Sequence, residues 1–183
     1  MPYKIELKNS EATLTAVVRE RVQPRELSRF VPAACGEVWS FVRSAGLPKP
    51  GRHTALYLDA GLVEVGAEVL ERFVGNNRVH CSQLPSGHVA TTVHFGPYQR
   101  LSEAHTRIRQ WCAELGHLLT GISWEIYGHW DESWNADPSK IHTDVFYLLQ
   151  DPVQHSPQLS AFATCHSAVA VPITSPRGSA HGR

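Results

Sequence analysis

Gly46, Gly51 and Tyr57 recur seventy positions later as Gly116, Gly121 and Tyr127, and at the same offset Val38, Phe41 and Val42 meet Ile108, Trp111 and Cys112. Two segments therefore carry one helical stripe, one glycine past its end and one tyrosine beyond it, which marks an internal duplication. Such a chain is constrained to fold as two copies of one supersecondary unit.

Hydrophobic periodicity defines that unit. Alternation predicts strands over 3–7 and 13–21, the second with Leu14, Ala16 and Val18 on one face and Thr13, Thr15 and Val17 on the other. Val31, Ala34, Val38, Phe41 and Val42 recur at helical spacing within 27–45, where Gly46 and Pro48 supply a stop. Segments 54–58 and 62–73 read as two more strands joined through Asp59, Ala60 and Gly61. The second copy repeats the order, with strands over 78–84 and 88–95, a helix over 98–115, and strands over 122–130 and 142–149. The expected class is α+β, with β-α-β-β halves at about 1–75 and 76–151.

At 183 residues and 42% hydrophobic composition, the chain suffices for one well-buried core and is short for two. One domain over 1–151 is expected, followed by a Pro/Ser/Ala-rich tail over 152–183 that has no acidic residue and too little apolar surface beyond Ser175 to offset the entropy of ordering. Seventeen basic and seventeen acidic residues cancel, so no net field draws the protein to nucleic acid or an anionic membrane. No apolar run approaches the ~20 residues of a membrane span, and 1–10 is too polar for a signal peptide, so a cytoplasmic location is expected. Cys35, Cys81, Cys112 and Cys165 form no C-x-x-C pair and read as reduced thiols. Eleven histidines include no H-x-x-x-H pair, and neither a metal site nor any other cofactor is expected.

Chemistry concentrates in Trp124-Glu125-Ile126-Tyr127. Period-two alternation puts Glu125 and Tyr127 on one strand face and Trp124 and Ile126 on the other. A carboxylate amid aromatic residues is either an exposed edge residue or a buried group, and in the second case an arriving cation favours its charged form. Phe95-Gly96-Pro97-Tyr98 ends one strand and opens a helix, with proline fixing φ at the first turn so that Tyr98 projects from a rigid corner.

The duplication, the G-P-Y corner and the W-E-I-Y strand 27 positions beyond it resemble the GyrI-like family, also described as the effector-binding domain of AraC-type and MerR-type regulators. The resemblance runs from about residue 3 to 149. It implies two β-α-β-β repeats related by a pseudo-twofold axis, with antiparallel sheets and a ligand cleft between the halves. It also implies that Glu125 is the pocket glutamate that attracts hydrophobic cations, a role that cation-π contacts and charge pairing support. The candidate wall is Tyr57, Tyr127, Trp39, Phe95, Tyr98, Trp130 and Tyr147, with Tyr57 and Tyr127 foremost as repeat mates; Trp39 reads equally well as a core residue. Some relatives carry a helix-turn-helix; nothing before Tyr3 leaves room for one, so a stand-alone, monomeric module with no direct DNA binding is expected. The tryptophan-rich segment 130–140 departs from the family and reads either as a lid or as cover for a sheet edge.

The first functional expectation is a module that sequesters or senses a flat, hydrophobic, cationic drug or toxin. The second, implied by similar stand-alone proteins, is a hydrolase that opens electrophilic cyclopropane-bearing genotoxins, with Glu125 as general base and Tyr57 or Tyr127 donating to the oxygen that gains charge. Haem binding, by similarity to the SOUL fold, and gyrase inhibition rank below both. No structural partner is expected for Glu125, so Glu125→Gln is expected to leave the fold intact.

Overall fold

The computed structural model describes residues 3–59, 61–129 and 131–151. The elements are β1 (Glu6–Ser10), β2 (Thr13–Arg21), α1 (Leu27–Ser44), β3 (His53–Tyr57), β4 (Leu62–Glu68), β5 (Val79–Leu84), β6 (Gly87–Phe95), α2 (Leu101–Leu115), β7 (Leu119–Tyr127), the short α3 (Ser133–Ala136) and β8 (His142–Leu149), with single 3-10 turns at Pro24–Glu26, Tyr98–Arg100 and Pro138–Lys140.

All eight strands join one antiparallel sheet in the order β1-β6-β8-β7-β3-β4-β2-β5. The α+β class and the two repeats stand, and the halves share one sheet because β3 hydrogen-bonds to β7 across their boundary. Along that seam Ala55 pairs with Glu125, Thr54 with Ile126 and Leu56 with Trp124. Ala55 and Glu125 are themselves seventy apart, so the pseudo-twofold axis passes through this pair, and the seam places the repeat's two equivalent positions side by side.

The outer strands are exchanged. β1 precedes β2 in the chain yet pairs with β6, while β5 precedes β6 yet pairs with β2, so each half completes the sheet of the other. The strand expected over 3–7 accordingly lies at Glu6–Ser10, opposite Gly87 to Thr91. The strand expected over 62–73 ends at Glu68; Val69 still donates to the Leu14 carbonyl, after which the chain leaves the sheet and Leu70 and Val74 stand exposed. The strand expected over 122–130 runs instead from Leu119 to Tyr127, with a register shift between Leu119 and Ser123 that the left-handed Gly121, φ 93°, accommodates.

Helix α1 buries Ala34, Val38 and Val42 against Ala16, Val18, Val63, Val65 and Ala67, and α2 buries Ala104, Ile108 and Cys112 against Ala90, Val145 and Tyr147. The three helical positions in each set are repeat mates. Each fully buried valine or isoleucine contributes about 1.5–3 kcal/mol, so the paired stripes anchor both helices on the sheet. Both helices end at glycine in the left-handed region, Gly46 at φ 66° just past the α1 cap and Gly116 at φ 75° capping α2. The opposite sheet face has its own cluster of Leu56, Leu84, Val89, Trp124 and Ile126, with Trp124 stacked on Phe146 at 5.2 Å. Since α1 packs on β2 and β4, and α2 on β6 and β8, the seam strands β3 and β7 lie open between the helices.

Candidate functional site

That opening is a cleft of about 1120 Å³. Alternation along β7 turns Ser123, Glu125 and Tyr127 toward the helices and Trp124 and Ile126 away, so the floor carries a carboxylate and a phenol. β3 adds Tyr57 and β8 adds Tyr147. From the walls, α1 contributes Cys35 and Trp39 while α2 contributes His105 and Arg109. These are again repeat mates, so the duplication offers a thiol and an indole on one side, an imidazole and a guanidinium on the other. Tyr98, projecting from the G-P-Y corner, sets its ring edge-on to Tyr127 at 5.7 Å. The corner is held by His94, whose Nε2 is 3.3 Å from the Pro97 carbonyl and whose Nδ1 is 2.8 Å from the Tyr3 hydroxyl.

Glu125 is 4% exposed. Its Oε1 lies 2.7 Å from His105 Nε2, and its Oε2 accepts a short hydrogen bond from the Tyr127 hydroxyl. His105 Nδ1 is in turn 2.9 Å from the Tyr147 hydroxyl, which also accepts from Arg109 Nη1 at 3.2 Å. The Tyr57 ring stands edge-on to His105 at 6.2 Å. Burial first, and then the Glu125 charge, push the Tyr57 and Tyr127 hydroxyls well above the ordinary phenol range. Burial also raises Tyr98, and it raises Tyr147 against the opposing pull of Arg109. Burial pushes the Cys35 thiol up to about 11. At neutral pH these groups are donors, and Glu125 is the one carboxylate among the described residues that line the cleft.

The structure thus brings Glu125, Tyr57, Tyr127, Trp39, Tyr98 and Tyr147 around one cavity. Phe95 is a correction. It follows His94 on β6, so alternation sends its ring to the opposite sheet face, where it is 67% exposed and lies against His142 at 6.3 Å. Trp130 and the tail lie outside the described residues. In the segment expected to act as a lid or as edge cover, Trp134 packs on His142 of β8, and no residue from 131 to 140 lines the cleft.

Sequence reasoning missed His105, the partner of Glu125. A lone helical histidine carries no motif, yet its place on the buried stripe of Leu101, Ala104, Ile108 and Cys112 was a usable signal. The expectation that Glu125 lacks a structural partner is corrected by the same contact and by Tyr127. Among the described residues no cluster of three or more His, Cys, Asp or Glu side chains is arranged to hold a metal ion, and no helix is long and apolar enough to cross a membrane.

The family described as the GyrI-like small molecule binding domain matches residues 3–150. No curated protein matches in sequence. Among solved structures, the C-terminal domain of EcmrR is similar with a TM-score of 0.67 and 21% identity, over 83% of this chain and 100% of that one. SAV2435, solved bound to tetraphenylphosphonium, is similar with a TM-score of 0.55 and 12% identity, over 85% and 98% of the two chains. A hydrolase from Listeria innocua encoded by lin2189 gives 0.51 and 12%, over 80% and 92%. At these identities the likeness is one of fold.

Proposed function

The chain belongs to the GyrI-like small molecule binding domain family, and from that premise we propose that it holds a flat, hydrophobic, cationic aromatic compound in the cleft between α1 and α2, against Glu125, so as to sequester or sense a drug or toxin. One observation carries this reading: a carboxylate 4% exposed, on the floor of an aromatic cleft, whose hydrogen-bond partners are a histidine and a phenol. A desolvated carboxylate is expensive without a cation beside it, and an incoming organic cation supplies the missing charge. The ring faces of Trp39, Tyr57, Tyr98 and Tyr147 are suited to cation-π contact and apolar burial. Lys49 and Arg109, also lining the cleft, disfavour a dication and favour one delocalised positive charge. The similar fold of SAV2435 with tetraphenylphosphonium bound makes that cation a suitable probe.

Titration of wild type and Glu125→Gln with tetraphenylphosphonium and with neutral triphenylphosphine oxide tests the reading. The substitution is expected to weaken the cation by about 1–3 kcal/mol and the neutral compound by much less. Equal losses for both, or none for either, would sink it.

A hydrolase remains the second reading, supported by two buried phenols, Tyr57 and Tyr127, that stay protonated beside Glu125. In that reading water adds to an electrophilic cyclopropane carbon, Glu125 accepts its proton, and the electrons of the broken ring bond pass to a conjugated oxygen that a tyrosine stabilises. Glu125→Gln would then abolish ring-opened product, followed by mass, with affinity almost unchanged.

A further inference from the structure

Resting on the cation-binding reading, we propose that the proton shared by His105 and Glu125 is the resident counter-ion of the cleft, and that a bound organic cation displaces it, so that this protein exchanges ligand for proton.

The geometry gives the imidazole two alternative and complete hydrogen-bond patterns. In the neutral ring, Nε2–H donates to Glu125 Oε1 at 2.7 Å, while Nδ1 accepts the Tyr147 hydroxyl proton at 2.9 Å. Tyr147 oxygen then accepts from Arg109 Nη1 at 3.2 Å, so each group in the chain is satisfied. In the imidazolium, both ring nitrogens donate, and the Tyr147 hydroxyl, which lines the cleft beside Ser123, must turn its hydrogen elsewhere. Two influences oppose each other. Glu125 presents its carboxylate to one ring nitrogen, whereas the Arg109 guanidinium lies one hydroxyl beyond the other. A cation seated on Glu125 adds to the side of Arg109 and tips the balance toward proton release, with no hydrogen bond left unmade when the proton goes.

The arrangement is one-sided by construction. At the repeat mate of His105 stands Cys35, whose thiol is pushed up to about 11, and at the mate of Glu125 stands Ala55. The other groups around the pair are Tyr57 and His53 from β3, Tyr127 from β7, Tyr147 from β8, Arg109 from α2, and Lys49 and His129 from the connecting segments. The phenols and the thiol are all raised, so they hold their protons near neutrality. His53 has its own partner, the Gly66 carbonyl at 3.3 Å from Nδ1. His105 alone among the cleft histidines touches the carboxylate through a hydrogen bond the structure records.

A proton competing one-for-one with a cation makes Kd rise about tenfold for each pH unit of acidification through the range in which the pair holds its proton. The test is titration calorimetry of the full chain with tetraphenylphosphonium, which has no titratable group, between pH 5.5 and 8.5 in buffers of different ionisation enthalpy. Wild type is expected to release close to one proton per cation at the acidic end and none at the basic end, with Kd following. His105→Gln, which keeps a donor toward Glu125 but cannot carry the proton, is expected to bind with little proton release and a nearly flat profile. A flat wild-type profile, or an unchanged slope in His105→Gln, would overturn the exchange while leaving cation binding standing. If Glu125→Gln in the same buffers leaves Kd unaltered, the cation-binding reading fails and this inference falls with it.

Discussion

Two carboxylates are buried among the described residues, Glu64 and Glu125, and their partners differ in kind. Glu64 on β4, 2% exposed, accepts from Arg19 Nε at 2.6 Å and from Ser82 Oγ at 2.7 Å, so a guanidinium neutralises it within the fold. Glu125 has a histidine and a phenol, which satisfy its lone pairs without a permanent positive charge. The first is a structural pair, and the second lines the cleft. Because Arg19 is half exposed and Glu64 is not, the two ends of the structural pair are unequal. Arg19→Met is expected to destabilise by about 2–4 kcal/mol, since it leaves a desolvated carboxylate with one hydroxyl, whereas Glu64→Gln loses less because water solvates the guanidinium. Urea denaturation of both variants reads the difference, and equal midpoints would contradict it. At this scale Glu125 was legible because a carboxylate inside an aromatic strand is anomalous. His105 was not, because a helical histidine is ordinary until its strand partner is known.

Strand faces were easier to foresee than strand neighbours. Alternation correctly sorted Glu125 and Tyr127 from Trp124 and Ile126, since side-chain direction follows from the backbone of one strand. The exchange of β1 and β5 between halves was invisible, because a period of two says which face is buried and nothing about which strand lies alongside. Glycines show the same divide. Gly116 is readable as a helix stop, and at φ 75° with open space around its missing Cβ, Gly116→Ala is expected to cost about 1 kcal/mol. Gly66, inside β4, gave no such signal. A Cβ there would lie 1.8 Å from the Ala16 carbonyl oxygen on β2, a backbone atom that cannot step aside. Gly66→Ala is therefore expected to cost more than about 3 kcal/mol, and a thermal shift as small as that of Gly116→Ala would show that β2 and β4 separate more easily than their pairing implies.

Over the whole molecule, the duplication sets up a symmetric frame and the cleft breaks it. The axis runs through Ala55 and Glu125, so one further carboxylate at the alanine would restore the symmetry. Ala55 is fully buried, and residues opposite one another in an antiparallel pair lie about 5 Å apart, close enough that both acids cannot ionise together. Ala55→Glu is therefore expected to destabilise by about 3 kcal/mol or more near neutrality. The folded variant holds a proton that the unfolded chain gives up above the carboxylate range, so its deficit should grow as pH rises from 4 to 8. Denaturation midpoints compared with wild type at the two pH values measure this, and a deficit independent of pH would assign the loss to volume alone.

The duplication, the helical stripes with their terminal glycines, and the face on which Glu125 and Tyr127 sit were all determined by the sequence alone, because each depends on periodicity within a short stretch of backbone. Fusion of the halves along β3 and β7, exchange of the edge strands, and the meeting of Glu125 with His105 were decided only by the tertiary structure. These are contacts between residues 20 to 85 positions apart, and they arise from how two helices cover the outer strands of one sheet and leave its central seam open.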